Sequence, residues 1–184
     1  MKLFKEMAGF IRRNGIKAVV LHGVEIYLGS LLRWLPGPEG IILRALLFRC
    51  LFAKCGEDLI IYPHVYMIFS NRITAGKRLA INVNTYIDGR GGITFGDYVM
   101  IGPNCVIASC GHGIKDTTVP MYLQPVEYGE IIIEDDVWIG GNVTIIPKVR
   151  IGRGCVVAAG SVVTKDLAPM GIYGGIPATL LKPR

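Results

Sequence analysis

From Cys55 to the end of this chain, hydrophobic positions return with a period of six. The most regular run holds Ile133, Ile139, Ile145, Ile151, Val157 and Val163. Four residues after each comes a second small or apolar position: Val137, Val143, Val149, Cys155, Ser161 and Leu167. An earlier run holds Ala75, Ile81 and Ile87 and, after a slip of two residues, Phe95, Ile101 and Ile107; weaker hexads begin at Cys55, Ile61 and Phe69. A period of six matches neither an amphipathic helix nor unbroken strand alternation. It predicts short strands joined by tight turns, three hexads to a coil, the first residue of each pointing into a triangular prism. Stacked coils then merge their apolar residues into one continuous core. About fifteen hexads make about five coils. Glycine after the aliphatic residue (Gly96, Gly102, Gly140, Gly152) suits the turns. Cys105 and Cys155 fall on inward fifth positions and read as small core residues.

Residues 1–54 follow another pattern. "IKAVVLHGVEIYLGSLLRWL" (16–35) and "EGIILRALLFRCLFAK" (39–54) are apolar and carry scattered charge. They predict two helices parted by Pro36-Gly37-Pro38. Neither holds the uncharged run of about 18 residues that a good spanning helix needs, and no small-residue cleavage site marks a secretory signal. Charge sharpens the picture. The net +6 lies wholly in residues 1–54, with nine Lys/Arg against three acids, whereas residues 55–184 hold eleven of each. Mixed with leucine, valine and isoleucine, that charge does not form a nucleic-acid surface. Two readings stay open: the helices pack on the rest of the protein or on a sister subunit, or they lie on anionic lipid. Both can hold together.

Between the hexads at Ile107 and Ile133 the chain cannot follow the coil, so about 109–131 must leave it as a loop. Loops on a rigid scaffold are where chemistry is placed. This one carries His112 in "CGHGIKD", and an imidazole can act as a base near neutral pH. Asp116 is a candidate to orient it. His22 and His64 read as structural. Five cysteines, an odd count without a CxxC pair, fit reduced thiols in a cytosolic protein and offer no zinc knuckle.

The hexads, the loop, "DDVWIGGNVTIIPKVRIGRGCVVAAGSVVTKD" and the closing "GGIPATLLK" resemble the hexapeptide-repeat acyltransferases, on the maltose, galactoside and polysaccharide O-acetyltransferase branch. The resemblance covers about residues 55–184, with a tail from about 168. It implies a mainly β fold, a left-handed parallel β-helix of hexapeptide repeats with an N-terminal helical segment and one extended loop. It implies a cytoplasmic homotrimer with sites between subunits, acetyl-CoA as co-substrate, no metal, and a saccharide hydroxyl as acceptor. His112 takes the place of the catalytic base; the second histidine many relatives carry two residues earlier is Cys110 here. Asn82, thirty residues before His112, matches an acceptor contact, and adjacent turns are expected to bring the two close. Asp88, one hexad on, is expected to face the same groove. Trp138, Gly141, Ala159, Thr164 and Lys165 match positions that line the coenzyme arm. Gly141, lacking Cβ, is expected to offer its N–H to the thioester oxyanion. Two arginines of relatives near the chain end are Thr179 and Lys182 here, leaving Lys182 as the replacement cation.

The apolar, basic lead-in favours an envelope-polysaccharide or lipid-linked precursor at the inner membrane face. A soluble sugar or an antibiotic hydroxyl is the alternative acceptor. A zinc-dependent carbonic anhydrase of the same scaffold needs three converging histidines, and the coil region has only His64 and His112. A non-catalytic assembly protein is the remaining class.

Overall fold

The computed structural model describes the backbone of residues 2–184 and the side chains of residues 9, 11, 12 and 15–184. From Lys54 onward the chain winds as a three-walled parallel coil. The first wall stacks Lys54–Cys55, Ile73–Ala75, Ile93–Phe95, Ile131–Ile133 and Arg150–Ile151. The second stacks Ile60–Ile61, Ala80–Ile81, Met100–Ile101, Trp138–Ile139, Val156–Val157 and Gly171–Gly174. The third stacks Tyr66–Ile68, Tyr86–Asp88, Val106–Ala108, Thr144–Ile145 and Val162–Val163. That makes five complete coils and the start of a sixth, which Leu167 opens by bridging to Ile151. Thr179–Pro183 runs antiparallel along Gly171–Gly174 and covers the last edge of the second wall, where unpaired backbone would otherwise invite another strand.

The inward positions are those the period of six predicts. Ile133, Ile139, Ile145, Ile151, Val157 and Val163 are each at most 1% exposed, and Cys105 and Cys155 are sealed in the core beside them. One hexad is shifted: Met67 is the inward residue of the first coil's third wall, while Phe69 turns the corner at φ 57° and stacks on His22 at 4.6 Å.

The turn chemistry differs from expectation. Left-handed backbone falls on the fourth residue of most hexads, as at Asn84, Asn104, Asn142 and Gly160, residues that tolerate that conformation. Gly96, Gly102, Gly140 and Gly152 do not have positive φ. Their lack of a side chain answers to stacking: a Cβ on Gly102 would lie 2.6 Å from Gly141 N, and one on Gly140 2.6 Å from Ala159 N. These glycines let one coil settle on the next.

Two helices close the first end of the prism: α1 (Lys2–Leu32, with a non-helical Gly15) and α2 (Gly37–Leu51). They meet chiefly first-coil strands and the turn Ser70–Arg72, and Phe48, Leu51 and Phe52 join the coil's core. Repeat proteins need such caps, because the first coil has no neighbour to pair with. Two buried charged residues complete it. The Glu25 carboxylate accepts from Phe69 N–H and Ser70 N–H, both at 2.8 Å, with His22 Nδ1 at 3.0 Å. Arg44 Nε donates to Ile61 O at 2.9 Å, and its Nη1 donates to Leu32 O and Leu35 O at 2.8 Å. Arg44 thereby ties the last turn of α1, whose carbonyls have no helical partner, to the second wall. His22 joins this cap through Glu25, and His64 makes a left-handed corner, with its ring edge-on to Trp34.

Candidate active site

The loop leaves the coil after Ser109 and rejoins it at Ile131, closed at its root by Gly129 N–H donating to Ser109 O at 2.9 Å. Cys110–His112 pairs antiparallel with Val126–Tyr128, with His112 opposite Val126. The His112 side chain is exposed. Asp116 does not serve it: its Oδ1 accepts from Thr118 N–H at 2.9 Å and from Thr118 Oγ1 at 2.6 Å, which shapes the loop's own turn.

The remaining candidates fall on two different corners of the prism. Asn82, Gly141 and Ala159 lie where the second wall turns into the third. There Gly102 N–H donates to Ile139 O and Gly140 N–H to Val157 O, both at 2.8 Å, and Gly160 N–H to Gly141 O at 2.9 Å, so the coils stack in register. Gly141 lies directly below Ala159, and Asn82 two coils below Gly140. Thr164 and Lys165 lie where the third wall turns into the first, the corner from which the His112 loop departs. Trp138 stands half-exposed on the outer face of the second wall between Met100 and Val156. Lys182 is exposed opposite Ile172 at that wall's end. A third-wall side spans about six residues, or roughly 20 Å of extended chain. Within one chain, therefore, stacking sets Asn82 and the root of the His112 loop at opposite ends of the third wall, rather than side by side as expected.

The third residue of a hexad has a distinctive backbone. Proline occupies it at Pro63, Pro103, Pro147 and Pro169, so coil-to-coil pairing does not need that N–H. Gly141 and Ala159 hold the same position, and no group among the described residues accepts from either N–H. Both are donors left over by the fold. The missing Cβ of Gly141 has a packing reason as well, since it would lie 3.3 Å from the Pro103 ring. On the second coil the corresponding N–H, that of Val83, donates to Asn82 Oδ1 at 2.8 Å. This fixes the amide of Asn82 and leaves its NH2 for another partner.

Asp88 departs from expectation. It is 1% exposed, and Arg90 covers it: the carboxylate accepts from Arg90 N–H at 3.0 Å, from Nε at 2.9 Å and from Nη2 at 2.6 Å. Tyr86 Oη at 3.3 Å and Cys110 Sγ at 3.4 Å complete its shell. Burial alone would raise its pKa, but the hydrogen bonds from Arg90 outweigh that and hold it below the usual carboxylate range. Burial, then the nearby Asp88 charge, pushes the Cys110 thiol up, keeping it protonated. Asp88 thus lies behind Arg90 rather than in a groove, and anchors the residue two before His112. Sequence reasoning missed Arg90 because "DGRGG" reads as an ordinary turn.

Three recesses of the single chain, of about 480 Å³ inside the loop, 510 Å³ beside Asp58 and Arg78, and 460 Å³ between the helices, include none of His112, Asn82, Gly141 or Ala159 in their walls.

Comparison with known proteins agrees with this geometry. The bacterial transferase hexapeptide (six repeats) pattern matches residues 130–165. The galactoside O-acetyltransferase of Escherichia coli strain K12 is 33% identical over 148 residues, which span 79% of this chain and 70% of that protein. A hexapeptide-repeat acetyltransferase of Vibrio cholerae, solved with acetyl-coenzyme A, is 32% identical, with a TM-score of 0.80 over 92% of this chain and 90% of that one. A galactoside acetyltransferase solved with coenzyme A reaches a TM-score of 0.82 at 28% identity, over 96% of this chain and 90% of that one. With its stacked hexads, glycine-lined corner and single extended loop, this chain belongs to the hexapeptide-repeat acetyltransferases, and is an acetyl-CoA-dependent enzyme of the galactoside and maltose O-acetyltransferase type.

Proposed function

We propose that the protein moves the acetyl group of acetyl-CoA to a saccharide hydroxyl, at sites formed between the subunits of a homotrimer. The observation that carries this reading is the division of the candidate residues between two corners. His112, Thr164 and Lys165 belong to one corner, Asn82, Gly141 and Ala159 to the other, and a whole wall separates them. When prisms pack side by side around a three-fold axis, one corner of each chain meets the other corner of its neighbour. The loop supports the same reading, since Ile114, Met121, Tyr122 and Leu123 are all more than 60% exposed on the single chain.

Transfer is direct. His112 takes the proton of the acceptor hydroxyl, and the oxygen attacks the thioester carbonyl carbon. The free N–H of Gly141 stabilises the oxyanion of the tetrahedral intermediate. Its collapse breaks the C–S bond, and the proton held by His112 goes to the departing thiolate. Trp138, Ala159 and Thr164 flank the coenzyme arm, Lys165 and Lys182 neutralise its phosphates, and the Asn82 NH2 holds the acceptor. Asp88 acts through Arg90 rather than by touching the acceptor. The acceptor is a cytoplasmic envelope-polysaccharide or lipid-linked precursor, a reading the basic, apolar N-terminal end supports. His112→Ala should lower transfer by about 10²–10⁴-fold while coenzyme A binding and the native mass stay unchanged. Wild-type turnover in that variant would remove His112 as the base.

A further inference from the structure

We propose that the helical end of the prism is a docking face for an anionic lipid bilayer. From Ile16 to Leu32, α1 is apolar on both sides. Its inner side carries Leu21, Val24 and buried Glu25 against the first coil. Its outer side carries Ile16, Val20, Tyr27, Leu31 and, just past its end, Trp34; Ile16 is 74% exposed and Tyr27 79%. The positions 16, 20, 27, 31 and 34 follow the helical period and form one stripe. On α2, Ile42, Leu43 and Leu46 are exposed in the same manner. A helix apolar all round is ordinarily covered on all sides, and apolar patches of this extent mark interaction surfaces.

The charge around the patch selects the occupant. Arg12, Lys17, Arg49 and Lys54 are exposed at this end, and Glu39 is the sole exposed acid among the described residues up to 54. A second copy packed end to end would bring like basic rims face to face, which is repulsive. A membrane rich in anionic lipid attracts the same rim, while Tyr27 and Trp34 are amphipathic rings suited to the headgroup boundary. By length and composition Gly15–Leu32 could cross a membrane. It does not do so in this fold: the bonds of Glu25 to Phe69 and Ser70, and of Arg44 to Leu32, fasten residues 25–32 of α1 to the first coil. Lying on the surface is therefore the mode this geometry allows. In an assembly of parallel prisms the three helical ends share one plane, so a flat bilayer can meet all three at once and gain by multivalency.

The test is co-sedimentation of the full-length protein with vesicles of phosphatidylcholine alone, or with a third of the lipid replaced by phosphatidylglycerol. The wild-type chain should partition onto the anionic vesicles, and high salt should weaken this. Leu31→Glu combined with Leu46→Glu should cut partitioning by about tenfold or more. Lys17→Glu with Arg49→Glu should abolish the preference for phosphatidylglycerol. Circular dichroism and coenzyme A binding report that each variant is folded. Absence of binding by the wild-type chain, or undiminished binding by the leucine variant, overturns the proposal. So does a native mass that the leucine variant halves, because a second copy would then cover the face. Transfer chemistry does not enter: loss of acetyl transfer with vesicle binding intact would strike the reaction alone.

Discussion

At the scale of single residues, what matters at this site is which backbone donors the fold leaves free. The third hexad position gives up its N–H without cost to the coil, as proline at Pro63, Pro103, Pro147 and Pro169 demonstrates. Gly141 sits there with its N–H unpaired. This permits an unusually clean substitution. Gly141→Pro removes the donor at a position whose register-mate one coil below, Pro103, is itself proline. It should fold as the wild type does, yet lower kcat by about 10²–10³-fold, the usual cost of losing one oxyanion donor. Gly141→Ala keeps the N–H and adds a Cβ 3.3 Å from Pro103; it should keep most of its kcat. Steady-state kinetics beside coenzyme A titration separates the two effects. Equal kcat loss in both variants would assign Gly141 to packing rather than to the oxyanion.

At the scale of elements, the loop that carries His112 is held to the third wall through the buried carboxylate of Asp88 and its half-buried partner Arg90. Asp88 ends the strand Tyr86–Asp88, pairs with Arg90 and receives Cys110 from the root of the loop. Asp88→Asn leaves Arg90 without its counter-charge and should cost about 1–3 kcal/mol at neutral pH, Arg90 being partly solvated. The pH dependence has a definite sign. The folded-state pKa of Asp88 lies below its ordinary value, so its stabilisation is complete above the unfolded pKa of about 4. It is lost as the pH falls through the lowered folded value. Denaturant titrations should show the gap between wild type and variant constant from about pH 7 to pH 5 and narrowing below about pH 4. A gap that widens in acid would contradict the assignment. Loss of the anchor should also lower kcat more than it raises KM, since the loop would hold His112 less firmly.

At the scale of the whole molecule, a site shared between chains makes a quantitative prediction. His112→Ala and Asn82→Ala chains should each be nearly inactive alone. When the two are unfolded, mixed equally and reassembled, about a quarter of the sites should pair an intact His112 with an intact Asn82 from the neighbour, restoring about a quarter of wild-type activity. No recovery would place both residues in one chain's site. The sequence alone determined the coil, because a period of six can be satisfied only by three short sides per turn, and every inward aliphatic from Ile131 to Val163 obeys it. It also determined the loop, because a hexad cannot skip from Ile107 to Ile133, and it set His112 on that loop. Tertiary structure decided the rest. Which corner each residue occupies depends on stacking register, and two-residue slips move that register without changing the pattern. Whether a glycine serves a turn or a close approach depends on the coil above it, so Gly102 and Gly140 could be read correctly only in three dimensions. Asp88 was enclosed with the help of Cys110 from the root of the loop, and the apolar outer side of α1 emerged only once its inner side had been used. These outcomes depend on contacts between segments distant along the chain, whereas periodicity records only which side of its own strand or helix a residue takes.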